Sequence, residues 1–195
     1  MTVAHAYIQV RGETLSPRRF STGDYLRMID AGLFNSSDRI ELIDGIIVAM
    51  SPAGPRHHHV LTRLTTLFAP LYDRLLPSVQ GTLILADGEV YDPDFMLLRP
   101  RPGGYKSALP QGPDVLLLVE ASESSLKRDQ HVKLPAYAAA GITDYWIADL
   151  DRETLILHRD PHGQSYRDIQ TLSAHDTLSP LAAPDLTLQV QQVYV

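Results

Sequence analysis

The chain has 195 residues, of which 44% are hydrophobic and 21% are charged, a balance typical of a globular protein with a sizeable core. Its 17 Lys and Arg residues against 23 Asp and Glu residues give a formal net charge of −6, which argues against coating nucleic acid through bulk positive charge. The charge does not exclude an enzyme that meets a polyanion through a metal ion. Because the chain has no cysteine, disulfides, thiolate nucleophiles and cysteine-bound metals are excluded.

The sequence also bears on location and domain number. It has no apolar run that approaches the ~20 residues needed to span a bilayer, and its first eight residues lack the basic and apolar regions of a signal peptide. The absence of cysteine fits a reducing compartment. We therefore expect a cytoplasmic protein with no membrane partner, folded as a single domain over residues 1–195 with its core at about 20–194.

The first third of the chain predicts two helices and a hairpin. In chain order these are a helix over 21–31, a hairpin within 39–50 and a helix over 58–75. Ser21 is placed to cap the first helix. Asp44-Gly45 lies between two apolar runs, and glycine supplies the positive φ that a tight hairpin turn needs. Pro70 should kink or shorten the second helix.

The rest of the chain predicts short strands around one helix. The strands are expected at 82–85, 89–91, 94–98, 114–120, 145–148, 154–158, 166–169 and 186–190. The run Val115–Val119 is continuously apolar, as in a strand buried on both faces, and a helix ending at Gly141 should follow it. The Pro- and Gly-rich segment 100–113 predicts a surface loop. The expected fold class is therefore mixed α/β (α+β), a mixed central sheet flanked by helices.

Several familiar catalytic motifs are absent from the sequence. Residues 103–107 superficially match the end of a phosphate-binding loop, but Tyr105 stands where glycine must precede Lys106. Neither a G-x-S-x-G elbow nor an H-E-x-x-H pair is present. One interpretation of the run His57-His58-His59 is that it contacts phosphate or a metal ion. Three consecutive residues cannot point one way on a helix, so we expect at least two of them to be solvated.

Two acidic residues lie next to apolar strands, where a charged side chain is not needed to keep the surface soluble. Glu120 ends a strongly apolar strand, and Asp94 follows Pro93 at the start of another. A carboxylate at a buried strand end needs a partner, because burying an unpaired charge costs several kcal/mol or raises its pKa. A hard divalent cation such as Mg²⁺ meets that need. The competing interpretation is structural, since acids at strand ends also cap helices.

Three residues downstream extend this cluster. Asp129, Lys133 and Tyr137 recur at a spacing of four, which places them on roughly one helical face. Lys133 would then reach back toward Glu120. The alternative interpretation is an ordinary surface lysine. From spacing alone, the metal-site and structural interpretations both stay open.

An ordered set of short motifs resembles the Uma-two family of restriction-endonuclease-like proteins, part of the PD-(D/E)XK nuclease superfamily. The motifs are Glu41-Leu-Ile-Asp-Gly45, Met50-Ser-Pro52, Pro55-Arg-His57, Pro93-Asp94, Val119-Glu120, Arg128-Asp129, Lys133-Leu134, Tyr137-Ala138 and Ala140-Gly-Ile-Thr-Asp-Tyr-Trp-Ile147. No single motif is specific, but their order is. They span about residues 20–194, nearly the whole chain. The resemblance implies a restriction-endonuclease-like core with an N-terminal helix and β-hairpin.

The resemblance also implies roles for individual residues. Asp94 and Glu120 would ligate the metal, and Glu41 would be a third acid that completes or orients the site. The superfamily's lysine normally lies two residues after the second acid, where this chain has Ser122, so Lys133 would take its place. Pro135 complicates that assignment, because the helix either begins near it or kinks there.

Supporting roles fall to three further residues. Asp129 and Tyr137 would position Lys133, and His57 would assist at the site. The departure Ala121-Ser-Glu-Ser-Ser125, where the family usually carries Ser-Pro, is interpreted as the same turn with altered chemistry.

The implied function is Mg²⁺-dependent hydrolysis of phosphodiester bonds in DNA, with Mn²⁺ as a substitute ion and a homodimer suited to cutting both strands. The alternative is a non-catalytic interaction protein on a nuclease fold, because fold does not guarantee activity. A third interpretation, a metal-dependent hydrolase of small phosphate esters, stays open. Trp146, in an apolar strand, is assigned to the core rather than to base stacking.

Overall fold

The computed structural model describes residues 7–35 and 38–195, which form two compact units. The first unit runs to Ser51 and includes Ala86–Val90, and the second comprises Pro52–Leu85 and Tyr91–Val195. The prediction that the chain has no signal peptide was based on residues 1–8. Residues 1–6 of that segment lie outside the described residues. The prediction of a single domain stays a prediction.

The first unit contains a ribbon, a helix and a hairpin. Its elements are β1 (Ile8–Val10), β2 (Glu13–Leu15), α1 (Thr22–Asp30), β3 (Ile40–Ile43) and β4 (Ile46–Ala49). The Ser21 side chain accepts a hydrogen bond from the Asp24 N–H, and the Asp24 carboxylate accepts one from the Ser21 N–H. These two bonds form a capping box at the start of α1, which confirms Ser21 as the predicted cap. Asp44 and Gly45 have φ of 50° and 71°, the positive values of a tight hairpin turn, which confirms the predicted hairpin.

The second unit contains the central sheet. The remaining strands of the chain are β5 (Leu76–Val79), β6 (Leu83–Ala86), β7 (Glu89–Tyr91), β8 (Phe95–Leu98), β9 (Val115–Ser122), β10 (Asp144–Asp149), β11 (Thr154–His162), β12 (Ser165–Leu172), β13 (Thr177–Leu178) and β14 (Leu188–Gln189). The boundary between the two units passes through β6 and β7. The six-stranded sheet has the order β12-β11-β10-β9-β8-β5, in which β9 and β10 are parallel and the other neighbours antiparallel. The predicted mixed sheet is confirmed.

Opposite faces of β9 contact different helical segments. Helix α2 (Pro55–Phe68) and the inward residues Leu117, Val119 and Ala121 belong to one hydrophobic cluster that also contains Trp146, which is fully buried as predicted. The alternate residues Glu120 and Ser122 point to the other face, because side chains alternate along a strand. There they contact the helical crossover that a parallel strand pair requires.

The crossover changes helix type directly before Pro135, and an α-helical segment begins at Leu134, near Pro135 as one of the two alternatives predicted. It begins with an α-helical turn at Leu126–Arg128, continues as a π-helix over Asp129–Lys133 and returns to α-helix over Leu134–Ala139 (α3 for the whole segment). The Leu134 N–H bonds to the Asp129 carbonyl, which is the longer π-type spacing. Thus a helix-interior proline is accommodated directly after a widened turn.

Other boundaries also differ from the predictions. Helix α2 begins at Pro55 rather than residue 58 and ends at Phe68, followed by a 3₁₀ turn over Ala69–Leu71, so Pro70 does shorten it. Strands β1, β2, β5 and β13 were not predicted, and the last predicted strand is reduced to β14 and a 3₁₀ turn. Within the residues that the structure describes, no helix is long and apolar enough to cross a membrane.

Candidate functional site

Sheet register brings Asp94 and Glu120 to neighbouring strands. Phe95 pairs with Val119 in the antiparallel β8–β9 ladder. Asp94 directly precedes Phe95 and Glu120 directly follows Val119, so the two acids lie at the same end of neighbouring strands. Both residues are buried. Their predicted joint role as metal ligands stays a prediction.

Asp94 is held by two donors. Its Oδ1 lies 2.9 Å from Nε2 of His57, and its Oδ2 accepts a hydrogen bond of 3.0 Å from the Ala121 N–H. Burial alone would raise the pKa of Asp94, but the hydrogen bond and charge of His57 and the Ala121 N–H outweigh it and lower that pKa. Asp94 is therefore favoured as a carboxylate, the form that a cation binds.

Glu120 shares one oxygen between two donors from the crossover helix. Its Oε1 lies 2.9 Å from Nζ of Lys133 and accepts a 2.7 Å hydrogen bond from the Tyr137 hydroxyl. The side chains of Glu120 and Lys133 are each only 3% exposed, so this is a desolvated ion pair. The predicted reach of Lys133 toward Glu120 is present. Tyr137, assigned to position Lys133, instead contacts the same carboxylate.

The π-helix that carries Lys133 is tied to the end of β9. Asp129 is buried, and its Oδ2 accepts hydrogen bonds of 2.6 Å from Ser122 Oγ and 2.7 Å from Ser125 Oγ. Ser122, at the position where the resemblance implies a lysine, therefore contacts the helical segment that carries Lys133. The two serines and Asp129 fix the start of that segment against the strand, which orders the helix carrying both donors to Glu120.

Glu41 belongs to the first unit. It lies in β3, opposite Val48 of β4, and is 1% exposed. Its predicted role as a third acid of the site stays a prediction.

The donor set fits a hard divalent cation. Asp94 and Glu120 supply carboxylate oxygens from neighbouring strands, and Mg²⁺ is commonly held by one or two carboxylates while water and phosphate oxygens fill its other positions. Across residues 7–35 and 38–195, no group of three or more His, Asp or Glu side chains is arranged to hold a metal ion. The fit therefore rests on the two carboxylates.

A second buried polar cluster was not predicted. Asp144 is fully buried, and its carboxylate accepts hydrogen bonds from Arg159 (2.8 Å), the Trp146 indole N–H (2.7 Å) and the Leu181 N–H (2.8 Å). Burial nonetheless raises the pKa of Asp144. Asp144 lies just before the apolar run at which we began the predicted strand, so its position in the sequence gave no sign of burial. With these donors it acts as a structural link rather than a reactive group.

His158 adds a testable pH dependence beside this cluster. Burial lowers its pKa from the ordinary 6.5, and its ring stacks on Tyr145. As the pH falls below 6.5, the unfolded chain takes up a proton at this site before the folded chain does, so the folded state loses stability. We expect urea unfolding to show a steeper loss between pH 7 and 5 for the wild type than for His158→Gln. Equal slopes would contradict a buried neutral imidazole, and His175→Gln, at an exposed site, is the control.

Comparisons with known proteins agree with the fold. The sequence model of the Uma2 family, described as "Putative restriction endonuclease", matches residues 22–191. A crystal structure at 1.96 Å resolution, described as "a putative nuclease belonging to DUF820 from Anabaena variabilis ATCC 29413", is similar with a TM-score of 0.69 and 12% sequence identity. The similarity covers 90% of this chain and 97% of that chain, and at this identity it shows a shared fold. No curated protein matches the chain.

The family match covers most of the sequence, including α2, the two acids and the crossover helix. The similar crystal structure has the same overall architecture. The resemblance drawn from the ordered motifs is thereby confirmed. The chain belongs to the Uma2 family.

Proposed function

We propose that this protein is a metal-dependent endonuclease that hydrolyses phosphodiester bonds in DNA. The observation that carries the proposal is the pairing of the buried Lys133 ammonium with Glu120, 2.9 Å apart, on a strand whose neighbour, β8, is directly preceded by the buried Asp94. Two carboxylates and a lysine are the groups needed to hold a cation and to meet the charge of a scissile phosphate. The family description supports the same reaction class.

Each residue has a part in the proposed reaction. Asp94 and Glu120 would hold Mg²⁺ or Mn²⁺, which when bound supplies Lewis acidity to the phosphate and lowers the pKa of a coordinated water. Lys133 would orient the attacking water or stabilise charge that develops on the phosphate oxygens. Tyr137 would orient Glu120 through its 2.7 Å hydrogen bond, and Asp129 would fix the π-helix that carries Lys133.

The net charge of the chain affects how strongly DNA would bind. A net charge of −6 predicts weak nonspecific affinity, since nonspecific binding depends on neutralising phosphates with Lys and Arg. The cation would then supply part of the attraction at the site. DNA contacts beyond it would come from local positive charge or from a second copy of the chain.

One observation favours a second candidate, a non-catalytic interaction protein. In the structure, Asp94 and Glu120 each have protein donors, and two of those donors, His57 and Lys133, are basic. A closed set of pairs of this kind also stabilises structural clusters. The two candidates differ in what a divalent cation does.

Supercoiled plasmid incubated with the protein in Mg²⁺, in Mn²⁺ and in EDTA tests the proposed function. We expect open-circular and linear products only with a divalent cation, and an unfolding temperature that rises with cation concentration because an ion that binds only the folded state stabilises it. Intact supercoiled, linear and single-stranded DNA, from protein whose unfolding temperature the ion raises, would contradict the proposal and favour the interaction protein.

A further inference from the structure

The loop over residues 99–113 differs in charge from the rest of the chain. It contains Arg99, Arg101 and Lys106 and no acidic residue, so the remaining sequence has 14 basic against 23 acidic residues, a net charge of −9. The loop connects β8 to β9 and ends in a 3₁₀ turn at Gly112–Asp114. A polyanion is therefore repelled by the net charge of the rest of the chain and attracted to this loop.

Arg101 orders the loop from within. Its Nε and Nη2 donate hydrogen bonds of 2.8 Å and 2.6 Å to the carbonyls of Gly104 and Ala108, and its guanidinium lies 3.7 Å from the centre of the Tyr105 ring. The Tyr105 hydroxyl donates a 2.9 Å hydrogen bond to the Arg99 carbonyl. Because these contacts are present before any ligand binds, binding does not carry the entropic cost of ordering a mobile loop.

The side chains of Arg99 and Lys106 are free to contact a ligand. Both residues are exposed, and across residues 7–35 and 38–195 neither side chain forms an ion pair or a hydrogen bond with the protein. Asp114, the acid that follows the loop, accepts a 2.9 Å hydrogen bond from the Gln111 N–H. Five arginines of the same unit are instead paired with acids: Arg56, Arg74, Arg152, Arg159 and Arg167. Arg99 and Lys106 are therefore better placed to neutralise phosphates.

The loop lies at a defined distance from the candidate site. Asp94 directly precedes β8 and Arg99 directly follows it, so the two residues are at opposite ends of one strand. At about 3.4 Å for each residue, they are separated by about 17 Å along the strand. One strand of B-DNA carries a phosphate about every 3.4 Å along the helix axis, so this separation corresponds to about five base pairs. A single short duplex can therefore contact both places.

We propose that the loop over residues 99–113 binds the phosphate backbone of DNA through Arg99 and Lys106, about five base pairs from the bond cleaved at the candidate site. The inference rests on the proposed function insofar as it takes DNA as the substrate. Contacts to phosphates position a protein on a duplex without reading its sequence. The loop should therefore strengthen the binding of duplexes of different sequence to the same extent.

Fluorescence anisotropy of a labelled DNA duplex, titrated with the full-length protein at several salt concentrations, tests this. The titrations contain EDTA, so that a metal-dependent nuclease does not cleave the duplex. The logarithm of the association constant falls with the logarithm of the salt concentration by about 0.9 for each phosphate contacted. For Arg99→Gln/Lys106→Gln we expect this slope to be shallower by about 1.8, and by the same amount on a duplex of unrelated sequence. The loss of affinity between about 50 and 200 mM salt should then be about tenfold smaller than for the wild type.

Two variants control for charge and for folding. Arg152→Gln/Arg167→Gln also removes two positive charges, but these are already paired with Asp149 and Asp160, so its slope should stay near that of the wild type. Arg99→Lys/Lys106→Arg exchanges the two side chains and keeps both charges, so it should also keep the slope. Unfolding temperatures establish that all three variants are folded.

The outcomes separate the inference from the proposed function. An unchanged slope in Arg99→Gln/Lys106→Gln overturns the role of the loop, while cation-dependent nicking by the same protein would leave the proposed function in place. An equally shallow slope in Arg152→Gln/Arg167→Gln also overturns it, because the effect would then be one of net charge. A wild type that binds no duplex at any salt concentration overturns it as well and points to an acidic protein as the partner of the loop. Plasmid nicking then decides the proposed function separately.

Discussion

Replacing Lys133 by methionine is expected to lower the free energy of unfolding by about 3–5 kcal/mol, the cost of breaking a buried ion pair by removing one partner. The Lys133 and Glu120 side chains are each 3% exposed, so the variant leaves a carboxylate in a poorly hydrated site. Tyr137 still donates to Glu120, but one neutral hydrogen bond does not replace an ammonium. Urea unfolding at neutral pH measures the change.

Two controls distinguish loss of the pair from loss of a lysine. Lys127→Met, at an exposed position of the same helical segment, should change stability by no more than about 0.5 kcal/mol. The double variant Lys133→Met/Glu120→Gln removes both charges and keeps an acceptor for Tyr137, so it should lose less than Lys133→Met alone. A single-variant cost equal to that of Lys127→Met would contradict a buried pair.

Asp94→Asn and Glu120→Gln are each expected to reduce metal-dependent plasmid nicking at least about a thousandfold. A bound cation contributes several kcal/mol to the transition state, and each 1.36 kcal/mol is a factor of ten in rate. Both substitutions keep the shape of the side chain and remove the charge that holds the cation. The rates are compared at equal concentrations of folded protein.

The matched control for these variants is Asp151→Asn. Its side chain is 65% exposed and forms a 3.1 Å ion pair with Arg56, outside the site. It removes one negative charge from the same unit without touching Asp94 or Glu120, so nicking should stay near the wild-type rate. A loss as large as in Asp94→Asn would indicate a general effect of charge on DNA binding.

Turn and capping preferences correctly predicted the features that depend on only a few residues adjacent in sequence. The hairpin around Asp44-Gly45 and the cap at Ser21 follow from residues adjacent in sequence, and both are present. The contact between Lys133 and Glu120 was also predicted, from the spacing of four that places Asp129, Lys133 and Tyr137 on roughly one helical face. The family resemblance implied that Asp94 and Glu120 act together, and the antiparallel pairing of Phe95 with Val119 places them at the same end of neighbouring strands.

Features decided by tertiary packing were not predicted. The π-helix begins at Asp129, which accepts hydrogen bonds from Ser122 and Ser125, and ends two residues before Pro135, a combination that no spacing rule contains. Ile29, an apolar residue of α1, is 42% exposed, which the sequence of the helix alone does not indicate. Strand β5 was missed because Pro77 interrupts its pattern and the preceding helix appeared to continue.

The burial of His57 could have been predicted from its spacing to the buried residues of α2, had the helix been predicted to begin at Pro55 instead of residue 58. Counted from Pro55, His57 precedes Val60 by three residues, Leu61 by four and Leu64 by seven, so it continues their buried stripe. Pro55 is a favourable first residue of a helix, and starting the helix there would have placed His57 on the inner face. With the start at residue 58, His57 was indistinguishable from its two neighbours.

The measurement that tests the central claim most directly is the rate of supercoiled plasmid nicking by wild type and Asp94→Asn, side by side, in Mg²⁺, Mn²⁺ and EDTA. The claim predicts nicking by the wild type that requires a divalent cation and falls at least about a thousandfold in Asp94→Asn. Nicking that continues in EDTA, or that Asp94→Asn retains at the wild-type rate, would contradict a metal-dependent nuclease centred on Asp94 and Glu120.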